Sequence, residues 1–88
     1  MKVCKFGGSS VATAEQIDAV CRIVQADPER RIVVVSAPGK RHSDDTKVTD
    51  LLIGLAQARL SQGDCDDALD AVVARYAEIA EGLGVPAA

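Results

Sequence analysis

Ile32-Val33-Val34-Val35-Ser36-Ala37-Pro38-Gly39 is the stretch that decides the fold. Strands with one wet face alternate apolar and polar residues. An unbroken β-branched run instead marks a strand covered on both faces, which parallel sheets produce. Upstream, Asp27-Pro28 closes a helix, because proline disfavours helical geometry in the residue before it. Ile17, Val20, Cys21 and Val24 mark that helix's apolar face, and Thr13 with Gln16 three residues on makes its capping box. Lys2 to Phe6 reads as a short strand ending at Gly7-Gly8, where glycine lets the backbone turn sharply and leaves its N–H groups uncovered. Strand, helix, strand is one βαβ unit with a right-handed crossover. Ligands bind open α/β sheets at the carboxyl ends of the strands. Phe6-Gly7-Gly8-Ser9 and Ser36-Ala37-Pro38-Gly39 therefore fall on one functional edge.

Downstream, Pro38 to Thr46 is a polar loop containing His42. A second helix is predicted from near Lys47 to about Ser61, with Val48, Leu51, Leu52 and Leu55 on one face and Ile53 and Leu60 on another. Thr46 and Thr49 read as its cap residues, and Asp50 in the first turn suits the helix dipole. Gln62-Gly63 turns the chain, and Asp64 is expected to cap a third helix. Leu69, Val72, Val73, Tyr76, Ile79 and Ala80 form the stripe of that helix, which Gly82 or Gly84 ends. The predicted class is α/β, in the order β-α-β-α-α with parallel strands. Three helices with broad apolar faces are more cover than two short strands need, so a larger sheet is expected.

The chain has 88 residues, 48% of them hydrophobic and only 2% aromatic, so the core must be aliphatic. A chain this short buries roughly 60–65% of its unfolded surface, which leaves its stability marginal. Net charge is −3 and the isoelectric point about 4.9. Nucleic-acid partners are not expected, since the one basic cluster, Lys40-Arg41-His42, runs straight into Asp44-Asp45. No apolar run approaches the roughly 18–20 residues that span a bilayer, and Met1-Lys2 leads into a strand with no signal-peptide pattern. The expectation is a soluble, cytoplasmic protein with no membrane partner. Cys4, Cys21 and Cys65 fit no zinc or redox spacing. Cys4 and Cys21 fall on predicted core faces, so buried reduced thiols are expected, and no protein-bound metal.

Lys5-Phe6-Gly7-Gly8-Ser9-Ser10 has the ingredients of a phosphate site. Glycines at a strand end expose N–H donors, a helix start adds its positive end, and lysine and serine supply charge and hydroxyl. The P-loop spacing is absent, and a sharp strand-to-helix turn would equally explain Gly7-Gly8. Ser36 could touch a ligand or satisfy nearby backbone, and Lys40 and Arg41 could simply solvate a loop.

The order of these motifs carries more than each alone. Val3-Cys4-Lys5-Phe6-Gly7-Gly8-Ser9-Ser10-Val11-Ala12 strongly resembles the opening motif of the aspartate kinases, written K-F-G-G-[ST]-S-V-A. Val33 to Lys40, followed by Asp45-Thr46-Lys47-Val48-Thr49-Asp50-Leu51-Leu52, resembles that family's next block in order and separation. The resemblance runs from about residue 2 to 60, and more loosely to the end. Carbamate, acetylglutamate and uridylate kinases share the fold, but this opening motif is similar to that of aspartate kinases in particular.

The resemblance implies that residues 1–88 form the amino-terminal portion of an amino acid kinase catalytic domain, part of a three-layer αβα sandwich. It implies transfer of the γ-phosphoryl group of Mg-ATP to the side-chain carboxylate of L-aspartate. By the same carry-over, Lys5 is catalytic and neutralises charge on the transferring phosphate, while Gly7, Gly8 and Ser9 donate to phosphate oxygens. Ser36 and Thr49 match positions that contact aspartate. Lys40, Arg41 and His42 receive no role. The family's acidic and arginine substrate contacts, adenine pocket, later catalytic lysine and aspartate, and regulatory domains are expected beyond residue 88. Activity of this chain alone is therefore not expected, and its partners include the remainder of the kinase chain. Two other readings stay open: a non-catalytic module that binds phosphate or nucleotide, and a remnant that pairs its surplus helical faces with a second copy.

Overall fold

The computed structural model describes residues 1–86; Ala87 and Ala88 lie outside the described residues. Strands β1 (Lys2–Phe6) and β2 (Arg30–Val35) pair in parallel, with Val3 opposite Ile32 and Phe6 opposite Val35. A 3-10 turn over Gly8–Val11, which the sequence reading did not separate from the helix, leads into α1 (Ala14–Gln25). Two further helices follow β2, α2 (Val48–Gln62) and α3 (Asp66–Leu83), and they pack on each other. The predicted βαβ unit and the element order are present.

Local chemistry explains most boundaries. Thr13 caps α1, its hydroxyl accepting from the Gln16 N–H at 3.3 Å. After α1, the Asp27 carboxylate accepts from the Glu29 N–H at 2.9 Å and closes the turn into β2. Gly63 and Gly84 end α2 and α3 in the left-handed region, at φ 74 and 72, where only glycine is free of Cβ strain. Two predicted caps are corrected. Lys47, not a threonine, occupies the N-cap of α2 and makes no side-chain cap bond. The Val48 N–H bonds instead to the Pro38 carbonyl at 3.0 Å, so a neighbouring loop satisfies this helix start. At α3 the cap position is Cys65, while the Asp64 carboxylate accepts from the Asp66 N–H at 3.0 Å.

The core is formed by Val11, Ala12, Val20, Val48, Val72 and Ile79. These residues come from the turn after β1 and from the three helices, so the core sits beside the sheet's carboxyl edge rather than over the sheet. Burial in β1 alternates: Cys4 and Phe6 are half-buried, Val3 and Lys5 exposed. Phe6 shares a cleft with Ala19, Val20 and Ile23, which puts α1 on its face and leaves the Val3–Lys5 face bare.

Burial of β2 on both faces is corrected by its exposure, from 41% at Val33 to 57% at Val35. With only two strands, both faces of β2 stay open: Val33 and Val35, on the side of Cys4 and Phe6, are as exposed as Ile32 and Val34. The same shortage leaves Leu52, Ile53, Leu69, Val73 and Tyr76 about half exposed and Leu60 88% exposed, so the predicted stripes are wider than the buried ones. The cysteines are free, as expected, but Cys21 is exposed and Cys4 and Cys65 are half-buried.

Gly82 marks where the end of α3 meets the start of α1, since a Cβ there would lie 2.5 Å from the Ala14 Cβ. Alanine usually favours a helix over glycine by about 1 kcal/mol. Here the overlap should win, and Gly82→Ala is expected to lower unfolding free energy by about 1–3 kcal/mol in a urea titration. Increased stability would show that the helix ends do not touch.

Candidate functional site

The two strand-end loops meet backbone to backbone. The Ser36 N–H bonds the Phe6 carbonyl at 3.2 Å, extending the ladder past both strands. The Gly39 N–H then bonds the Gly8 carbonyl at 2.8 Å. A Cβ on Gly39 would stand 2.7 Å from the Gly8 carbonyl carbon and 2.9 Å from the Ser9 nitrogen, and one on Gly8 would stand 3.1 Å from the Ala37 oxygen. Glycine at 39 is therefore a packing requirement, and at 8 nearly so. Gly7 differs. Its φ of −73 and ψ of 175 suit any residue, and a Cβ there would meet nothing within 4 Å. Neither the turn nor the packing of this chain demands glycine at that position.

A side chain that the sequence reading passed over holds these loops. Arg75 of α3 is 4% exposed. Its Nη2 donates to the Ala12 carbonyl at 3.1 Å and the Gly39 carbonyl at 3.0 Å. Its Nη1 donates to the Thr46 carbonyl at 3.2 Å and lies 3.4 Å from an Asp45 carboxylate oxygen. Asp45, with its side chain 9% exposed, is gripped by Arg41 through the backbone N–H at 2.9 Å, Nε at 2.6 Å and Nη2 at 2.9 Å. Arg41 also reaches Glu78 at 2.8 Å, so this residue is structural rather than a solvating loop cation. Bonds from the Arg41 guanidinium, then its backbone N–H, hold the Asp45 carboxyl well below the usual carboxylate range. The same side-chain bonding raises the Arg41 guanidinium above its ordinary value. One signal could have revealed Arg75. It sits at helical spacing between Val72 and Ile79, so a cation interrupts the apolar stripe at its centre.

The predicted site residues gather along one edge but not in one pocket. Lys5, Gly7, Ser9, Ser36 and Thr49 are exposed, and Gly8 is half-buried against the second loop. Ser9 borders the cleft of Phe6, Gln16 and Ile23, whereas Ser36 opens onto an apolar groove with Ile17, Cys21 and Tyr76 on the other flank of α1. Lys5 rises from the bare face of the sheet. Thr49 lies in the first turn of α2, one residue beyond the Val48–Pro38 link. His42 is exposed in the polar loop.

Comparison with known proteins bears on family and fold. Residues 1–83 match the amino acid kinase family. Aspartokinase 3 of Bacillus subtilis is 57% identical over 83 residues, which cover 94% of this chain and 18% of the relative. The crystal structure of Clostridium acetobutylicum aspartate kinase superposes with a TM-score of 0.88 at 39% identity, covering 98% of this chain and 20% of that one. E. coli aspartokinase III, solved in complex with aspartate and ADP, superposes with a TM-score of 0.69 at 35% identity, over 90% of this chain and 16% of that one. The chain thus spans about a fifth of the length of these relatives.

Two outcomes should follow from the loop contacts. Gly39→Ala must push the loops apart and is expected to cost about 1–3 kcal/mol, whereas Gly7→Ala should change the urea midpoint little; equal effects would contradict the geometry. The Asp45 carboxyl titrates lower folded than unfolded, where it sits near about 3.9. Its pairing therefore stabilises the chain above that value, and the contribution is lost as pH falls from about 5 downwards. The stability gap between wild type and Asp45→Asn should accordingly shrink in acid; a gap independent of pH would mean that the pairing contributes nothing.

Proposed function

The chain belongs to the amino acid kinase family, and on that premise we propose that it forms part of an aspartate kinase. The reaction moves the γ-phosphoryl group of Mg-ATP to the side-chain carboxylate of L-aspartate, giving 4-phospho-L-aspartate and ADP. The observation that carries the reading is Gly7. Nothing within the chain requires the missing Cβ there, so what benefits from it is a group approaching from outside. The Gly7 and Gly8 carbonyls are engaged inward by Ser10 and Gly39, which leaves the N–H side of the turn for phosphate oxygens. The aspartate and ADP of the E. coli relative support the same substrates.

Phosphoryl transfer needs positioning and charge neutralisation more than covalent help. A carboxylate oxygen of aspartate attacks the γ-phosphorus while the bond to the departing ADP breaks. Negative charge spreads over the equatorial oxygens as this happens. Lys5, at the end of β1, neutralises that charge, and the N–H groups of Gly7, Gly8 and Ser9 orient the phosphate. Ser36 and Thr49 hold aspartate from the second loop and the start of α2. Magnesium, when bound with ATP, offsets phosphate charge. The adenine pocket and the remaining substrate contacts belong to the remainder of the kinase chain, which explains why Ser9 and Ser36 open onto different clefts here. We assign the protein to the cytoplasm and to the synthesis of lysine, threonine and methionine, with a second copy of the chain as a further partner. No helix among the described residues is long and apolar enough to cross a membrane.

Amide NMR with and without Mg-ATP tests the cradle directly: shifts should centre on Gly7, Gly8 and Ser9, and a spectrum indifferent to nucleotide would count against it. In the complete kinase, Lys5→Ala should lower kcat about 10²–10³-fold with a much smaller rise in the aspartate KM. Ser36→Ala should instead raise the aspartate KM about tenfold or more. Unchanged turnover in the first variant, or unaltered aspartate kinetics in the second, would remove the assigned role.

A further inference from the structure

Arg75 is the one buried charged side chain among the described residues, and its environment is unusual for a stabilising core residue. It stands in the middle of the Val72–Ile79 stripe, where an apolar side chain of similar length would fill the space without desolvating a charge. Its Nε is buried with no hydrogen-bond partner. Replacing the guanidinium with an apolar side chain would remove that unsatisfied donor. What an apolar side chain could not do is hold three carbonyls from three loop segments in fixed relation.

Those carbonyls are informative. Ala12 follows the turn that carries Gly7, Gly8 and Ser9. Gly39 packs on Gly8 and follows Ser36. Thr46 precedes Thr49. One planar fork touches all three segments at 3.0–3.2 Å, and Asp45, itself gripped by Arg41, balances the charge at 3.4 Å. We propose that Arg75 is a positioning residue, setting the phosphate-side turn and the Ser36 and Thr49 segments at a fixed separation. The role rests on the functional reading above. A guanidinium suits it because its donors are rigidly coplanar, whereas an ammonium is a single point that cannot reach three separated acceptors. Displacing reacting groups by about 1 Å can reduce rate about 100-fold, so a buried ruler between two half-sites has direct kinetic consequence.

The test compares the wild-type chain with Arg75→Lys, which keeps the charge, and Arg75→Met, which keeps the bulk. Amide NMR spectra are recorded at a temperature where each is folded. Without nucleotide, both variants should shift the amides of residues 7–9, 36–40 and 46–49 together, while α1 amides from residue 15 to 24 stay in place. With Mg-ATP as the probe, both should bind at least tenfold more weakly than wild type. Lysine should rescue no better than methionine. Wild-type shifts and affinity in Arg75→Lys would mean that charge balance alone matters and would overturn the proposal. So would changes spread evenly over α1 and β2, the signature of general loosening. A wild-type chain that ignores Mg-ATP would sink only the reading that this chain forms the phosphate cradle by itself, and the nucleotide-free shifts would still decide the role of Arg75.

Discussion

The structure depends on a contact in which no side chain takes part: the backbone of Gly39 lying on the backbone of Gly8. A methyl group on Gly39 would stand closer to the Gly8 carbonyl than van der Waals contact allows. The 2.8 Å bond from the Gly39 N–H to that carbonyl forms because nothing intervenes. From this junction the remaining order follows. The loop after β2 is brought close enough for Pro38 to satisfy the start of α2, and α3 then lies across the junction with Arg75 beneath both loops.

This arrangement puts the well-packed part of the chain at the carboxyl edge of the sheet. Val11, Ala12 and Val48, beside the loops, are the most thoroughly buried apolar residues, whereas the centre of the sheet is half exposed. The order is therefore concentrated at the two strand-end loops. Ile32 to Val35 have the composition of an interior strand but stand at an edge with unpaired backbone groups. An apolar edge of this kind readily pairs with further strands, and α2 and α3 add exposed apolar residues of their own.

Legibility in the sequence tracked how local each cause is. The Thr13 cap, the Asp27-Pro28 stop and the glycine helix ends each depend on a few adjacent residues, and each was readable. The parallel pairing was readable from β-branched composition, although the burial that composition implies was not, because cover depends on how many strands are present. Thr46 and Thr49 look like caps, yet a loop carbonyl ten residues before Val48 supplies the partner. Arg75 was the largest omission. Its acceptors lie 29, 36 and 63 residues away in sequence, and only its phase within an apolar stripe hinted at burial. The motif residues Lys5, Gly7, Gly8, Ser9, Ser36 and Thr49 were grouped only through family resemblance. The different reasons for Gly7 and Gly8 became visible only with coordinates.

This chain by itself forms the junction between its two loops. Site-resolved hydrogen exchange of the Gly39 and Val48 amides tests it most directly, because both donate to carbonyls across that junction. Both amides should exchange as slowly as the amides in the middle of α1, through the same unfolding event. Exchange at the free-peptide rate while α1 remains protected would contradict it, showing helices that fold around loops not yet joined.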